Sequence, residues 1–131
     1  EDLPVAEARA LLGPGRLLGA TVRSLEDIHR VQAAGADHVG LGPLFATRTK
    51  AVDAPPLGLA GLARVCAASP LPVVAIGGIS ADNIREVARA GATCAAVASA
   101  PFAHGETPAR VAAAVRALAA DVDNGRALRS L

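Results

Sequence analysis

The stretch GPLFATRTK, Gly42 to Lys50, ends in Thr47, Arg48, Thr49 and Lys50, directly behind the apolar run DHVGLG. Lys50 is the only lysine in the chain; the other twelve of its thirteen basic residues are arginines. Threonine hydroxyls donate and accept hydrogen bonds, and a lysine ammonium is a compact, mobile charge suited to phosphate oxygens. Two further segments have anion-binding chemistry for other reasons. The pair Gly77-Gly78 in AIGGIS lets backbone N–H groups approach a ligand, because no Cβ intervenes. Ser99 in VASAPF opens a short helical turn whose first N–H groups would face an anion. Taken singly, each has a plainer reading: a solvated loop lysine, a tight turn, a helix cap. Their placement relative to one another decides.

That placement follows from the elements. LPVAEARALLG reads as a helix stopped at Gly13, and RLLGATV as a buried strand. Ser24 caps a helix with Leu25, Ile28 and Val31 inward, Asp27 standing three residues after the cap. HVGLG is the next strand, followed by a loop from Pro43 to about Leu57. GLAGLARVCAAS is a helix and PVVAIGG a strand. Ser80 caps ADNIREVARAG, TCAAVAS is a strand, and a short turn covers Ala100 to His104. TPARVAAAVRALAAD closes the series with Thr107 as N-cap, and the residues after Asp121 read as a polar tail that frays.

The joints AAGADHVGLG and RAGATCAAVAS resemble each other and imply one repeated βα unit. Strands apolar on both faces and connected by helices predict a parallel sheet. Four strands are half of a (β/α)8 barrel, which typically needs about 250 residues. An open doubly wound sheet is the alternative, but no GxGxxG follows any strand. In parallel α/β folds chemistry gathers where strands end, so Thr21–Ser24, the 43–50 loop, Gly77–Ser80 and Ala98–Ala100 are predicted to share one edge.

Composition narrows the function. A net charge of +1 and two aromatic residues, both phenylalanine, leave neither the charge nor the stacking platforms of a nucleic-acid binder. The apolar runs are too short to span a bilayer, and no signal peptide is visible. Cys66 and Cys94 are expected to be reduced thiols of a cytoplasmic protein. His29, His38 and His104 have no metal-binding spacing, and no Ser-His-Asp or Cys-His set is present. The chain contains no methionine, so it is expected to be a processed product, a trimmed chain or part of something longer.

Taken together, EDLP, GATVRS, GADHVGLGPLFATRTK, PLGLAGL, PVVAIGGIS and GATCAAVASA resemble the thiamine-phosphate synthase family, in order and spacing, from residue 1 to about Leu118. The resemblance implies a (β/α)8 barrel and a transferase of thiamine biosynthesis. Such an enzyme joins a pyrimidine carrying a methylene pyrophosphate to a thiazole phosphate, with Mg²⁺, and releases thiamine phosphate and pyrophosphate. It implies that Thr47, Thr49 and Lys50 form the loop that touches the pyrophosphate and closes over the site. Thr21 stands where the family has a serine near the leaving group. Gly78 corresponds to the glycine whose backbone holds the thiazole phosphate, with Ala98 and Ser99 as the second contact. Asp2 corresponds to one of two metal-binding aspartates.

Two departures accompany the resemblance. Arg23 stands where the family often has a histidine, and the chain begins at the family's midpoint, without the other metal aspartate or the pyrimidine-recognising residues. The expected organisation is therefore a barrel's C-terminal part over residues 1–121 and a tail over 122–131. Half a barrel exposes two sheet edges and an apolar face, so the segment alone is expected to be marginal or to self-associate. A thiazole tautomerase uses a histidine where this chain has Pro43. A non-catalytic phosphate-binding remnant is the reading outside enzymes. A sugar-phosphate epimerase needs acidic residues at strand ends, and none is found.

Overall fold

A computed structural model of the chain describes residues 3–47 and 55–129. Nine regular elements alternate along it: α1 (Val5–Leu12), β1 (Gly19–Val22), α2 (Leu25–Ala33), β2 (His38–Leu41), α3 (Gly58–Ala68), β3 (Val73–Ile76), α4 (Ile84–Arg89), β4 (Cys94–Ala96) and α5 (Pro108–Arg129), with a single 3-10 turn at Ala100–Phe102 before α5. The four strands form one parallel sheet in the order β1-β2-β3-β4. Sequential order without reversal distinguishes this sheet from a doubly wound one, whose strand order turns back at a switch point.

Register sorts the strand residues onto two faces. Ala20, Val39 and Val73 share one level, and Val22, Leu41 and Ala75 the next, all on the same face. There Val22, Val39, Leu41, Val73 and Ala75 are buried in one core with Ile28, Val31, Leu62, Ile84, Val87 and Leu118 from the helices. Burying a Val, Leu or Ile side chain contributes roughly 1.5–3 kcal/mol each. This single apolar layer is therefore the main force holding helices to sheet. The opposite face carries Gly19, Thr21, His38, Gly40, Val74, Ile76, Cys94 and Ala96. Its residues are mostly small or polar, which corrects the expectation of an apolar open face. Ile76, 44% exposed, is its one large exposed aliphatic side chain among the described residues.

The two similar joints fold alike. Gly35 and Gly91 take φ of 97° and 107°, a region that disfavours any side chain, and each sends its N–H back into the helix just ended. Ala36 and Ala92 are buried behind them. The next side chain then reaches the start of the preceding strand: Asp37 accepts the N–H of Leu18, just before β1, at 2.7 Å, and Thr93 accepts that of Val73, the first residue of β3, at 3.2 Å. Arg9 of α1 locks the first joint. Its guanidinium donates to the carbonyls of Gly35, Gly13 and Arg16 and to Asp37. The Leu18 N–H and then Arg9 hold the Asp37 carboxyl below its usual range.

Three boundaries differ from those read in the sequence. β1 is confined to Gly19–Val22, and Leu17, expected in a buried strand, is 82% exposed. Residues 81–83 form a turn, so α4 begins at Ile84 rather than directly after Ser80. α5 runs past Asp121 to Arg129 instead of fraying. Packing explains the last difference. Val122 reaches the core, Asp121 pairs with Arg85, and Gly125 lies so close to the Arg85 carbonyl that no Cβ would fit there.

Candidate functional site

All strands run the same way, so every loop that follows a strand leaves from one edge of the sheet. On the β1 side, Thr21 is exposed on the open face, its hydroxyl near Gly40. The loop after β1 is tied down by the start of α2. Ser24 Oγ accepts the Asp27 N–H at 3.1 Å, and the Asp27 carboxylate accepts the Arg23 N–H at 3.3 Å. The Ser24 side chain, opposed by the cost of burial, and then Arg23 N–H and Arg30 hold the Asp27 carboxyl below its usual 3.8. A lowered native pKa contributes stability above 3.8 that is lost as pH falls through the native value. Asp27→Asn is therefore expected to flatten the fall in Tm below pH 3.8; an unchanged acid limb would show the tie to be idle.

The β2 and β3 loops are joined more intimately. Beyond Leu41 the chain keeps pairing with the β3 side: Leu44 N–H donates to Ile76 O at 2.9 Å and Phe45 N–H to Gly77 O at 3.0 Å. Gly42 passes so close to the Ile76 carbonyl that a Cβ would collide with it. The loop's returning limb is clamped to its outgoing one, since Leu57 N–H donates to Pro43 O and Gly58 N–H to Leu44 O, both at 3.0 Å. Leu44, wholly buried, nails this stem to the core. Arg48, Thr49 and Lys50 lie outside the described residues, as does Asp2. Thr47 is half-buried at the top of the stem and engaged by a neighbour.

The glycine pair sits directly against that stem. Gly77 and Gly78 take φ of 99° and 65°, where a side chain is strained. A Cβ on Gly78 would stand 2.6 Å from Ala46 O and 2.8 Å from Phe45 Cβ. The N–H groups of Gly78 and Ile79 donate to no group among the described residues. At the far side Ala98 and Ser99 are exposed. Ser99 occupies the N-cap position of the 3-10 turn at Ala100–Phe102, but its side chain makes no capping bond. The structure therefore sets Gly78 against Phe45 and Ala46, the residues just before Thr47, and places Thr21, Ala98 and Ser99 on the same edge of the sheet.

Sequence reasoning missed two parts of this site, the clamped stem and Asn83. Asn83 Nδ2 donates to Gly78 O at 3.1 Å, and its Oδ1 accepts Ser80 N–H at 3.0 Å. Ser80 Oγ in turn accepts the Asp82 N–H at 3.3 Å. The signal was present as Ser80 followed three residues later by an amide side chain, a capping-box spacing. Among the described residues no three histidine, cysteine, aspartate or glutamate side chains gather to hold a metal, and no helix is long and apolar enough to cross a membrane.

A sequential parallel βα array, with a hydroxyl-bearing loop zipped to a glycine pair and the open N–H groups of Gly78 and Ile79 beside it, defines an α/β protein with its candidate site at the strand ends. The family model of thiamine monophosphate synthase matches residues 1–100, and the chain belongs to that family. It is 55% identical over 98% of its length to a thiamine-phosphate synthase of Anaeromyxobacter dehalogenans, covering 56% of that protein. It is 62% identical over 76% of its length to the one from Myxococcus xanthus, covering 45% of it. Among solved structures, a thiamine phosphate pyrophosphorylase from Pyrococcus furiosus superposes with a TM-score of 0.79 at 38% identity, over 95% of this chain and 57% of that one. The chain thus spans about half the length of these relatives.

Proposed function

We propose that this chain supplies the C-terminal four βα units of an eight-stranded barrel with thiamine-phosphate synthase activity. The observation that carries the reading is the contact between the 42–47 stem and Gly77–Gly78. It sets a hydroxyl-bearing loop and a set of unused backbone donors side by side, as a reaction between two phosphorylated substrates requires.

In the proposed reaction the bond from the pyrimidine methylene carbon to pyrophosphate breaks, and its electron pair leaves with pyrophosphate. The thiazole nitrogen then donates its lone pair to that carbon, forming the new C–N bond. The step needs little proton transfer. It needs negative charge met on the leaving group and the second substrate held in line. Lys50, Thr47 and Thr49 meet the pyrophosphate from the loop, and the Thr21 hydroxyl does so from β1. Gly78 N–H holds the thiazole phosphate, with Ala98 and Ser99 as its other backbone contact. This division of labour accounts for the lack of a catalytic triad in the sequence.

Mg²⁺ would supply further charge neutralisation at the pyrophosphate when bound. Of this chain's residues only Asp2 is proposed as a ligand, which is too few to hold the ion. The remaining ligands belong to the units that precede it in the relatives, and no step is assigned to the metal. The reading carries with it a cytoplasmic location, pyrimidine pyrophosphate and thiazole phosphate as small-molecule partners, no nucleic-acid or membrane partner, and self-association of the isolated units. The test is formation of thiamine phosphate from both substrates by a protein of the relatives' length that carries these residues. Isomerisation of the thiazole in place of condensation would overturn it.

A further inference from the structure

Gly77, Gly78 and Ile79 are joined by trans peptides, the sole cis bond among the described residues being Gly42-Pro43. In a trans peptide the C=O of one residue and the N–H of the next point in opposite directions. Whatever holds the carbonyl therefore aims the following N–H. Phe45 N–H holds Gly77 O, which turns the Gly78 N–H away from the stem. Asn83 Nδ2 holds Gly78 O, which turns the Ile79 N–H away from α4. The same Asn83 side chain takes the Ser80 N–H, so the next amide of the turn is withdrawn from any ligand. The side chain sits partly buried and spends both ends of its amide on this one turn.

We infer that Asn83 is a positioning residue for the phosphate site, selecting the Gly78 and Ile79 N–H groups as the anion donors and fixing the second of them. The inference deepens the synthase reading and rests on it for the identity of the ligand, thiazole phosphate. Asn83 touches no substrate in this account. It acts through the Gly78 peptide, and the Ile79 N–H joins Gly78 as a donor to the phosphate.

Two variants separate positioning from helix capping. Asn83→Asp keeps an oxygen that can accept the Ser80 N–H but puts a second acceptor against the Gly78 carbonyl. Asn83→Ala loses both bonds and adds no charge. In a protein of the relatives' length, positioning predicts that both variants raise the KM for thiazole phosphate by roughly tenfold or more, the value of one well-placed hydrogen bond to an anion. The KM for the pyrimidine pyrophosphate should stay within about twofold in both variants.

A pure cap would leave Asn83→Asp with wild-type kinetics, and simple repulsion by the new carboxylate would spare Asn83→Ala; either result overturns the inference. Titration of inorganic phosphate into the same proteins separates it from the synthase reading. Weakened phosphate binding in both variants of a protein that makes no thiamine phosphate would uphold the clamp and reject the synthase. An active wild type whose variants bind both ligands normally would reject the clamp alone.

Discussion

Replacing Gly78 by alanine is expected to lower kcat/KM for thiazole phosphate on the order of 10²-fold, because two penalties fall on the same peptide. The backbone stands at φ of 65°, and holding a non-glycine residue there costs roughly 1–3 kcal/mol. The new methyl would also stand 2.6 Å from the Ala46 carbonyl oxygen. That atom is backbone, part of a stem clamped on both limbs, and cannot swing aside like a side-chain tip. Either the stem or the Gly78 peptide must move. A displacement near 1 Å in a site that works by orientation is worth about 10²-fold. The effect should appear mainly in the thiazole phosphate KM. Steady-state kinetics with each substrate varied in turn would show it, and a variant with wild-type KM would remove Gly78 from the site.

The second large effect concerns the residue with which the sequence drew attention to this loop. Lys50→Ala is expected to slow turnover on the order of 10²-fold or more, the usual loss when one charged donor to a developing anion is deleted. In the proposed reaction pyrophosphate would depart carrying the electrons of the broken bond, so a cation beside it would act more strongly on the transition state than on the bound substrate. The loss should therefore lie in kcat more than in the thiazole phosphate KM. Lys50→Arg should recover only part of it, because a planar guanidinium presents its charge in a different geometry. An unchanged rate in Lys50→Ala would reduce the lysine to a solvated loop charge.

Much of the scaffold was legible because local signals agreed with the global pattern. Gly35 and Gly91 mark the ends of their helices in the sequence and take the positive φ that only glycine adopts easily. Ile28 and Val31, read as inward by helical spacing, lie in the core with Ile84 and Val87 of α4. Parallel strands could be inferred from the helices between them, and with them the shared edge on which Thr21, Gly78, Ala98 and Ser99 lie. What escaped the sequence depends on tertiary contact. Leu17 has the apolar character of a strand residue, yet it precedes the point where β1 begins to pair. The residues after Asp121 look polar, but Val122 and Gly125 find partners in the core and on α4. The zipping of residues 43–45 to the β3 side, through Ile76 and Gly77, leaves no mark in composition. Asn83 lies five residues beyond Gly78, and its importance rests on a carbonyl that no sequence pattern displays. The roles of Thr47, Thr49, Lys50 and Asp2 rest on the resemblance.

The most direct test of the central claim is an assay of thiamine phosphate formation, with both phosphorylated substrates and Mg²⁺, run in parallel on this chain alone and on a protein of the relatives' length that carries it. Product from the longer protein, with pyrophosphate released in equal amount and none from the 131-residue chain alone, is the expected result. No product from the longer protein would contradict the assignment.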